Sequence, residues 1–294
     1  MKVLDNKKTA LALRIEGIVK DFVATSKENS LKDDKADEKA WELPLVGFSR
    51  GDDPLYEKLK ADIGPFYWTP AEAFGLAFPE ITVQPAELTV IAWILPQTAA
   101  TKADNRRQRK YGSERWARTR FYGEFFNDHL RRHVAETLSK AGYEAVPPTL
   151  SPSFRGQMSE RFGFASNWSE RHGAFVSGLG TFGLCDGLIT PLGKAMRCGT
   201  VIARLSVPST ERPYRDHQAY CLFYARGTCG KCMKRCPVGA ITEAGHDKLR
   251  CGEYLGKVAA PYANSHYGIN IYSCGLCQTA VPCESAIPRP LRQG

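Results

Sequence analysis

Residues 1–184 of the 294-residue chain contain no cysteine; all ten cysteines lie from Cys185 onward. No run of about 18 apolar residues occurs, which excludes a membrane-spanning helix. The opening residues mix Lys, Asp and Arg into their apolar positions, where a secretory signal has an uninterrupted core. The expectation is therefore a cytoplasmic protein, and in that reducing compartment ten cysteines point to metal ligation rather than disulfides. Nor is there a repeat of the kind that builds solenoids. What is present, 43% hydrophobic residues over 294 positions, suffices for one large domain and a small one.

A formal charge of +9 favours an anionic partner such as RNA, an acidic protein or a phosphate-bearing cofactor, or reflects no more than a basic surface. The densest basic cluster, Arg106, Arg107, Arg109 and Lys110, follows Asp104 and Asn105 in what reads as a polar loop. As a solvated loop it needs no ligand.

Residues 7–25 carry apolar side chains at helical spacing (Leu11, Ile15, Ile18, Val19, Phe22) and read as an amphipathic helix, followed by a polar stretch over 26–39. Thr89-Val-Ile-Ala-Trp-Ile-Leu95 with Pro96 behind it is a buried strand. Residues 113–141 begin with Ser and Glu and close on Gly142, a long helix with its start and stop signals. A short strand is expected at 143–146, a helix at 156–173, and strands at 187–190 and 200–207. This alternation implies an α/β layered domain. Beyond Val207 prolines, glycines and eight cysteines crowd fewer than ninety residues, a composition organised by metal. The domain boundary is drawn at 210: residues 1–210 form the α/β domain and residues 211–294 the small cysteine-rich one.

The cysteines fall into two groupings. The first is Cys221 and then Cys229-Gly-Lys-Cys232-Met-Lys-Arg-Cys236-Pro237; the second is Cys251, Cys274-Gly-Leu-Cys277 and Cys283. A C-x2-C turn brings two thiolates to one centre while backbone amides point at its sulfurs, and in two-cluster ferredoxins the fourth Cys of such a run ligates the other cluster. On that logic Cys221, Cys229, Cys232 and Cys283 hold one 4Fe-4S cluster, and Cys236, Cys251, Cys274 and Cys277 the second. Two knuckles also suit zinc, but Cys236-Pro237 followed by Val-Gly-Ala-Ile is the ferredoxin continuation. Seven residues separate Cys221 from Cys229 where a regular run has two, and Cys277 to Cys283 is also long. Either position could therefore yield its role to Cys185 or Cys198. Two adjacent clusters make a wire, whose endpoint belongs in the larger domain.

Gly178-Leu-Gly180-Thr181-Phe-Gly183 matches G-x-G-x-x-G, but a helix precedes it and a strand-like Cys185-Asp-Gly-Leu-Ile-Thr follows. A dinucleotide fingerprint has the opposite context and an acid about 20 residues on, where Ala203 and Arg204 stand. Such dense glycine suits a backbone passing close to something flat, or a set of tight turns.

At these residues the chain resembles the superfamily of epoxyqueuosine reductases and reductive dehalogenases. The resemblance is carried by Glu170-Arg-His-Gly-Ala-Phe-Val-Ser-Gly-Leu-Gly-Thr-Phe-Gly183, by Leu188-Ile-Thr-Pro-Leu-Gly193 with Arg197 beyond, by Arg250-Cys251-Gly-Glu-Tyr-Leu255 and by Tyr272-Ser-Cys274-Gly-Leu-Cys277-Gln278. It covers roughly residues 85–290, most closely from 165 onward. It implies a nitroreductase-like α/β domain that binds a corrinoid (cobalamin), joined to a two-cluster ferredoxin-like domain. By the same resemblance electrons pass from cluster to cobalt to substrate, and Gly178, Gly180, Thr181, Gly183, Ser273 and Gly275 line the corrinoid.

The chain also departs from the pattern. Epoxyqueuosine reductases resemble one another in an Asp proton donor at a Thr-Asp-Ser strand end; here the stretch is Thr149-Leu150-Ser151-Pro152, and Leu150 has no proton to donate. Tyr122, Tyr143 and His172 are conceivable substitutes, but each is more often a packed or surface residue, so no catalytic acid is assigned. Respiratory dehalogenases resemble one another in a twin-arginine leader, which the opening residues do not show, so a respiratory role is not expected. The expected function is an iron-sulfur and corrinoid dependent cytoplasmic reductase, fed by an external ferredoxin- or flavodoxin-type donor and acting on a small molecule or tRNA, with no membrane partner. The alternatives are an electron-transfer or corrinoid-handling protein without turnover of its own, and a tRNA epoxyqueuosine reductase with an atypical proton donor.

Overall fold

The computed structural model describes residues 2–292. Along the chain run α1 (Lys2–Thr25), β1 (Leu45–Arg50), α2 (Pro54–Ile63), α3 (Pro70–Ala77), β2 (Leu88–Pro96), α4 (Ala99–Arg107), α5 (Glu114–Lys140), β3 (Ala145–Val146), β4 (Gly156–Ser159), β5 (Gly163–Ser166), α6 (Glu170–Val176), β6 (Thr181–Phe182), β7 (Leu188–Ile189) and β8 (Met196–Arg204). The last third adds α7 (Leu222–Arg226), α8 (Lys231–Arg235), β9 (Ile241–Thr242), β10 (Gly245–His246), α9 (Lys248–Tyr254), a π-helical turn Leu255–Ala259 and α10 (Ala260–Tyr267).

The central sheet has the order β1-β2-β8-β3, with every pairing antiparallel. The layers are thus those of a mixed helix and strand protein without the parallel pairing of a doubly wound sheet. All nine residues of β2 are buried, because both faces of the sheet are covered. The two-residue alternation of a strand sorts its side chains. Val90, Ala92 and Ile94 enter one core, while Ile91, Trp93 and Leu95 enter the other. On the second face Ile15, Val19 and Val23 of α1 meet Phe126, Leu130 and Val134 of α5, two apolar stripes at four-residue spacing. Trp93 donates from Nε1 to Asn127 Oδ1 at 3.0 Å, so its one polar atom is satisfied within the apolar layer. Gly199 lies opposite on β8, where a Cβ would overlap that indole.

The first core does not stop at residue 210. It continues from Val90, Val176 and Ile189 through Tyr214, Tyr220, Cys221, Cys232, Ile241 and Val281. Burial of these side chains, at about 25 cal/mol per Å² of apolar surface, ties the cysteine-rich third to the sheet.

Three expectations are corrected. Residues 156–173 are not one helix: β4 and β5 form an antiparallel hairpin, and α6 begins only after Ser169, whose Oγ accepts from His172 N. Gly163 takes φ +64°, and Ser159 Oγ accepts from Phe162 N at 3.2 Å. That local turn competes with a helix through the same segment. Arg106 and Arg107 end helix α4 instead of lying in a loop, because Thr98 caps its start with its side chain on Thr101 N. Strand β8 starts at Met196, four residues before the expected start, and β7 is limited to two residues. Among the described residues no helix is long and apolar enough to cross a membrane.

Candidate metal centres

The seven-residue insertion between Cys221 and Cys229 is used to build α7. Cys221 occupies its N-cap position, and Gly227, at φ +62°, ends it after five residues. Helix α8 then turns Cys232 and Arg235 inward and leaves Lys231 and Lys234 outside. The result is a small cavity lined by Cys221, Cys229, Cys232 and Cys283, with Ile189, Lys194, Phe223 and Pro282.

Cys236, Cys251, Cys274 and Cys277 line a second and larger cavity of about 280 Å³, together with Cys185. The two sets read from the spacing are thus each brought together, in separate cavities. A backbone amide points at one of these sulfurs, Ala240 N donating to Cys236 Sγ at 3.2 Å, while burial raises the Cys274 thiol against the lowering effect of the Leu276 amide. Thiols alone, with an amide directed at sulfur, fit an iron-sulfur cluster in donor type. Among the described residues no three His, Cys, Asp or Glu side chains are grouped to hold a single metal ion.

The knuckle itself depends on Gly275. It adopts φ +64°, and a Cβ there would overlap the indole of Trp116, so both the backbone and the space call for glycine. Beneath it lies Arg235, which the sequence reading passed over. Its Nε donates to Leu276 O and Thr279 O, both at 3.1 Å, its Nη1 to Gln108 O at 2.7 Å and its Nη2 to Asn105 O at 3.0 Å. One buried guanidinium thereby fastens the knuckle to the end of α4. Arg106 binds Glu284 through Nε at 2.9 Å, and Glu284 in turn accepts from Ala280 N at 2.7 Å.

Cys185 and Cys198 have different fates. Cys198 sits inside β8, lines neither cavity, and burial, followed by the Glu170 charge, pushes its thiol up to about 12. Cys185 is buried where the two sets approach each other. Hydrogen bonds with Cys232 and Cys277 hold its thiol well below the ordinary value against the effect of burial, and Lys194 adds to this, with Nζ at 3.1 Å. Burial opposes the charge on Lys194, but the surrounding thiols, Cys185 foremost, hold its ammonium well above the ordinary value.

Away from the thiols the larger cavity is cationic. Arg120, Arg171 and Arg197 line it, and no Asp or Glu does. Arg197 is held by Glu124 (Nε to Oε2, 2.7 Å), which also accepts from Arg120 at 3.1 Å. Burial works to raise Glu124, but Arg197, Arg131 and Arg120 outweigh it and hold the carboxyl at about 2. Glu170, buried beside Arg131, is instead raised, because desolvation exceeds the ion pair. Two side-chain atoms buried in this wall have no hydrogen-bond partner, Gln97 Oε1 and Ser273 Oγ, on residues 4% and 5% exposed.

The other residues named from sequence lie elsewhere. Gly178 abuts the backbone of Glu211, Gly180 abuts Ile189 O, Thr181 Oγ1 accepts from Tyr220 N, and Gly183 borders the smaller cavity. Of the six glycine-segment and knuckle positions only Ser273 and Gly275 line the larger one. Leu150 is half-buried in the turn Pro148–Leu150. Tyr122 donates to Asp33, Tyr143 packs on the outer core, and His172 is wedged between Tyr67 and Phe182, where burial lowers it to about 3. None of these four lines either cavity. Gln97 and Arg120 were missed because they reach the site from β2's end and α5, with no local motif to mark them.

With this geometry, the chain resembles epoxyqueuosine reductases over part of its sequence and a reductive dehalogenase in fold. Over 120 residues it is 31% identical to the epoxyqueuosine reductases of Bacillus anthracis and of Bacillus cereus, a stretch that is 39% of this chain and 29% of each relative. The match thus spans less than a third of the length of those curated relatives. In fold it is similar to a catabolic reductive dehalogenase solved in complex with 3-bromo-4-hydroxybenzoic acid, with a TM-score of 0.50 at 13% identity, covering 94% of this chain and 37% of that one. No protein-family model matches the chain.

Proposed function

We propose that the chain is an iron-sulfur and corrinoid dependent reductase. The observation that carries this reading is the convergence of eight cysteines in two adjoining cavities, one of which opens onto a cationic cleft. Residues 211–294 form a ferredoxin-like part holding two 4Fe-4S clusters, and residues 1–210 a nitroreductase-like part that binds corrinoid and substrate. When bound, the clusters supply one-electron transfer and the corrinoid a strongly reducing cobalt. An external ferredoxin- or flavodoxin-type protein supplies the electrons, and the ten free thiols suit a reducing compartment, the cytoplasm.

The chain's own residues have separable tasks. Gln97 Oε1 is an acceptor awaiting an N–H or O–H, and Ser273 Oγ can donate or accept. A corrinoid, whose rim carries amide groups, answers both. Arg120 and Arg197, clamped by Glu124, hold a positive field over the cleft without needing to reorganise. Trp116 and Gly275 fix the distance between that field and the second thiol set.

The test is an absorption spectrum and metal analysis of oxygen-free protein made in a host supplied with cobalamin. About eight iron and about one cobalt per chain are expected. Colourless, metal-free protein would overturn the reading; iron without cobalt would leave the clusters and remove the corrinoid.

A further inference from the structure

We propose that the outer face of α7 and α8, with the turn Arg289–Leu291 beside it, is the docking surface for an acidic one-electron carrier protein. This rests on the reading that the smaller cavity holds a cluster.

Three observations carry it. The first is position. Cys229 is partly exposed on this face, and the smaller cavity beneath it is separated from the cationic cleft by Cys185 and Lys194. Electrons entering here would reach the cleft through the second thiol set.

The second is charge. Between residues 217 and 242, and again between 285 and 292, the chain has no Asp or Glu. Arg226, Lys231, Lys234, Arg289 and Arg292 are all exposed there. Among the described residues none of these five makes an ion pair, whereas Arg106, Arg115, Arg118, Arg120, Arg131 and Arg197 all do. Five cations with no internal counterion form a field that steers an anionic partner.

The third is an exposed aromatic on α7. Tyr224, 39% exposed, follows the partly buried Phe223 that walls the cavity, and the two rings meet edge to face at 5.3 Å. Exposed aromatics are enriched where proteins dock, and this one shares its helix with Arg226. The shortness of the patch, built on two five-residue helices, suits a small globular carrier better than an extended RNA.

The experiment compares wild type with the K231E/K234E variant. Each is reduced, anaerobically, by a reduced acidic flavodoxin and separately by dithionite, at low and high salt, with cluster bleaching followed by stopped flow. Iron and sulfide content and dithionite reduction should be unchanged in the variant. Reduction by flavodoxin should slow about tenfold at low salt and lose most of its salt dependence. Wild-type flavodoxin kinetics in a fully loaded variant would overturn this proposal alone. Weakened tRNA binding with unchanged flavodoxin kinetics would do the same and assign the face to RNA. Protein lacking iron and sulfide from the outset would overturn the functional reading and this proposal together.

Discussion

Lys194 Nζ and Cys185 Sγ lie 3.1 Å apart in a buried pair at the point where the two thiol sets come nearest. Lys194 is 3% exposed, and its charge is felt by Cys232 and Cys283 of one set and Cys277 of the other. A single ammonium therefore offsets negative charge on both.

Replacing Lys194 with Met removes that charge while keeping most of the volume. On the proposed reading, reduction of either cluster would add an electron close to the missing cation, so both midpoint potentials should fall, by on the order of 100 mV at an effective dielectric of about 20. Lys194→Arg should restore most of the difference. A redox titration followed by electron paramagnetic resonance measures it, and unchanged potentials in the Met variant would contradict the assigned role.

Arg235→Met strips the donors from four backbone carbonyls in the interior. Leaving buried acceptors unpaired should cost about 3 kcal/mol of stability, read as a lower midpoint in urea with an unchanged slope. Loss of less than about 1 kcal/mol would mean that water replaces the guanidinium.

Glu124 gives a pH signature. Its folded carboxyl sits at about 2 against an ordinary 4.5, so its contribution is full above the ordinary value and is lost as pH falls from there toward 2. The shift corresponds to about 3 kcal/mol. Glu170, raised by burial, slopes the opposite way, so the informative quantity is the difference between wild type and Glu124→Gln. That difference should be about 3 kcal/mol at pH 7 and should shrink progressively below pH 4.5; a difference independent of pH would show that the arginines do not depress this carboxyl.

Much of this arrangement was legible in the residues, for a reason that lies in covalent spacing. The C-x2-C turn keeps two thiols close whatever surrounds it, so the spacing alone leads one to expect Cys274 with Cys277 and Cys229 with Cys232, and each pair lines one cavity. The apolar run through Trp93 and the capped stretch after Ser113 were equally plain, because each is a local pattern. The hairpin over 156–166 was misread because its turn depends on Gly163 and a Ser159 hydroxyl, which leave no periodicity behind. Gln97, Arg120, Lys194 and Arg235 were invisible as a group: they meet only after β2, α5 and the loops around β8 and α8 have packed, and nothing in their own neighbourhoods announces it. The ion pair between the exposed Arg106 and the buried Glu284, 178 positions apart, turned an apparently solvated basic loop into a structural tie.

Gly275→Ala should disable one centre and spare the other. The added methyl meets both an unfavourable φ and the Trp116 ring, so the knuckle carrying Cys274 and Cys277 must move. Iron content should fall to roughly half. Adding Trp116→Ala clears the space but not the backbone strain, and should restore iron only in part.

Two independent four-thiol sites are the core of the account, and single cysteine variants probe them most directly. Iron and acid-labile sulfide should be counted in oxygen-free wild type, Cys229→Ala and Cys251→Ala, each with its electron paramagnetic resonance spectrum. The account predicts that each variant keeps roughly half of the iron and that the two retain different cluster signals. Identical residual spectra in the two variants, or full iron in both, would contradict it.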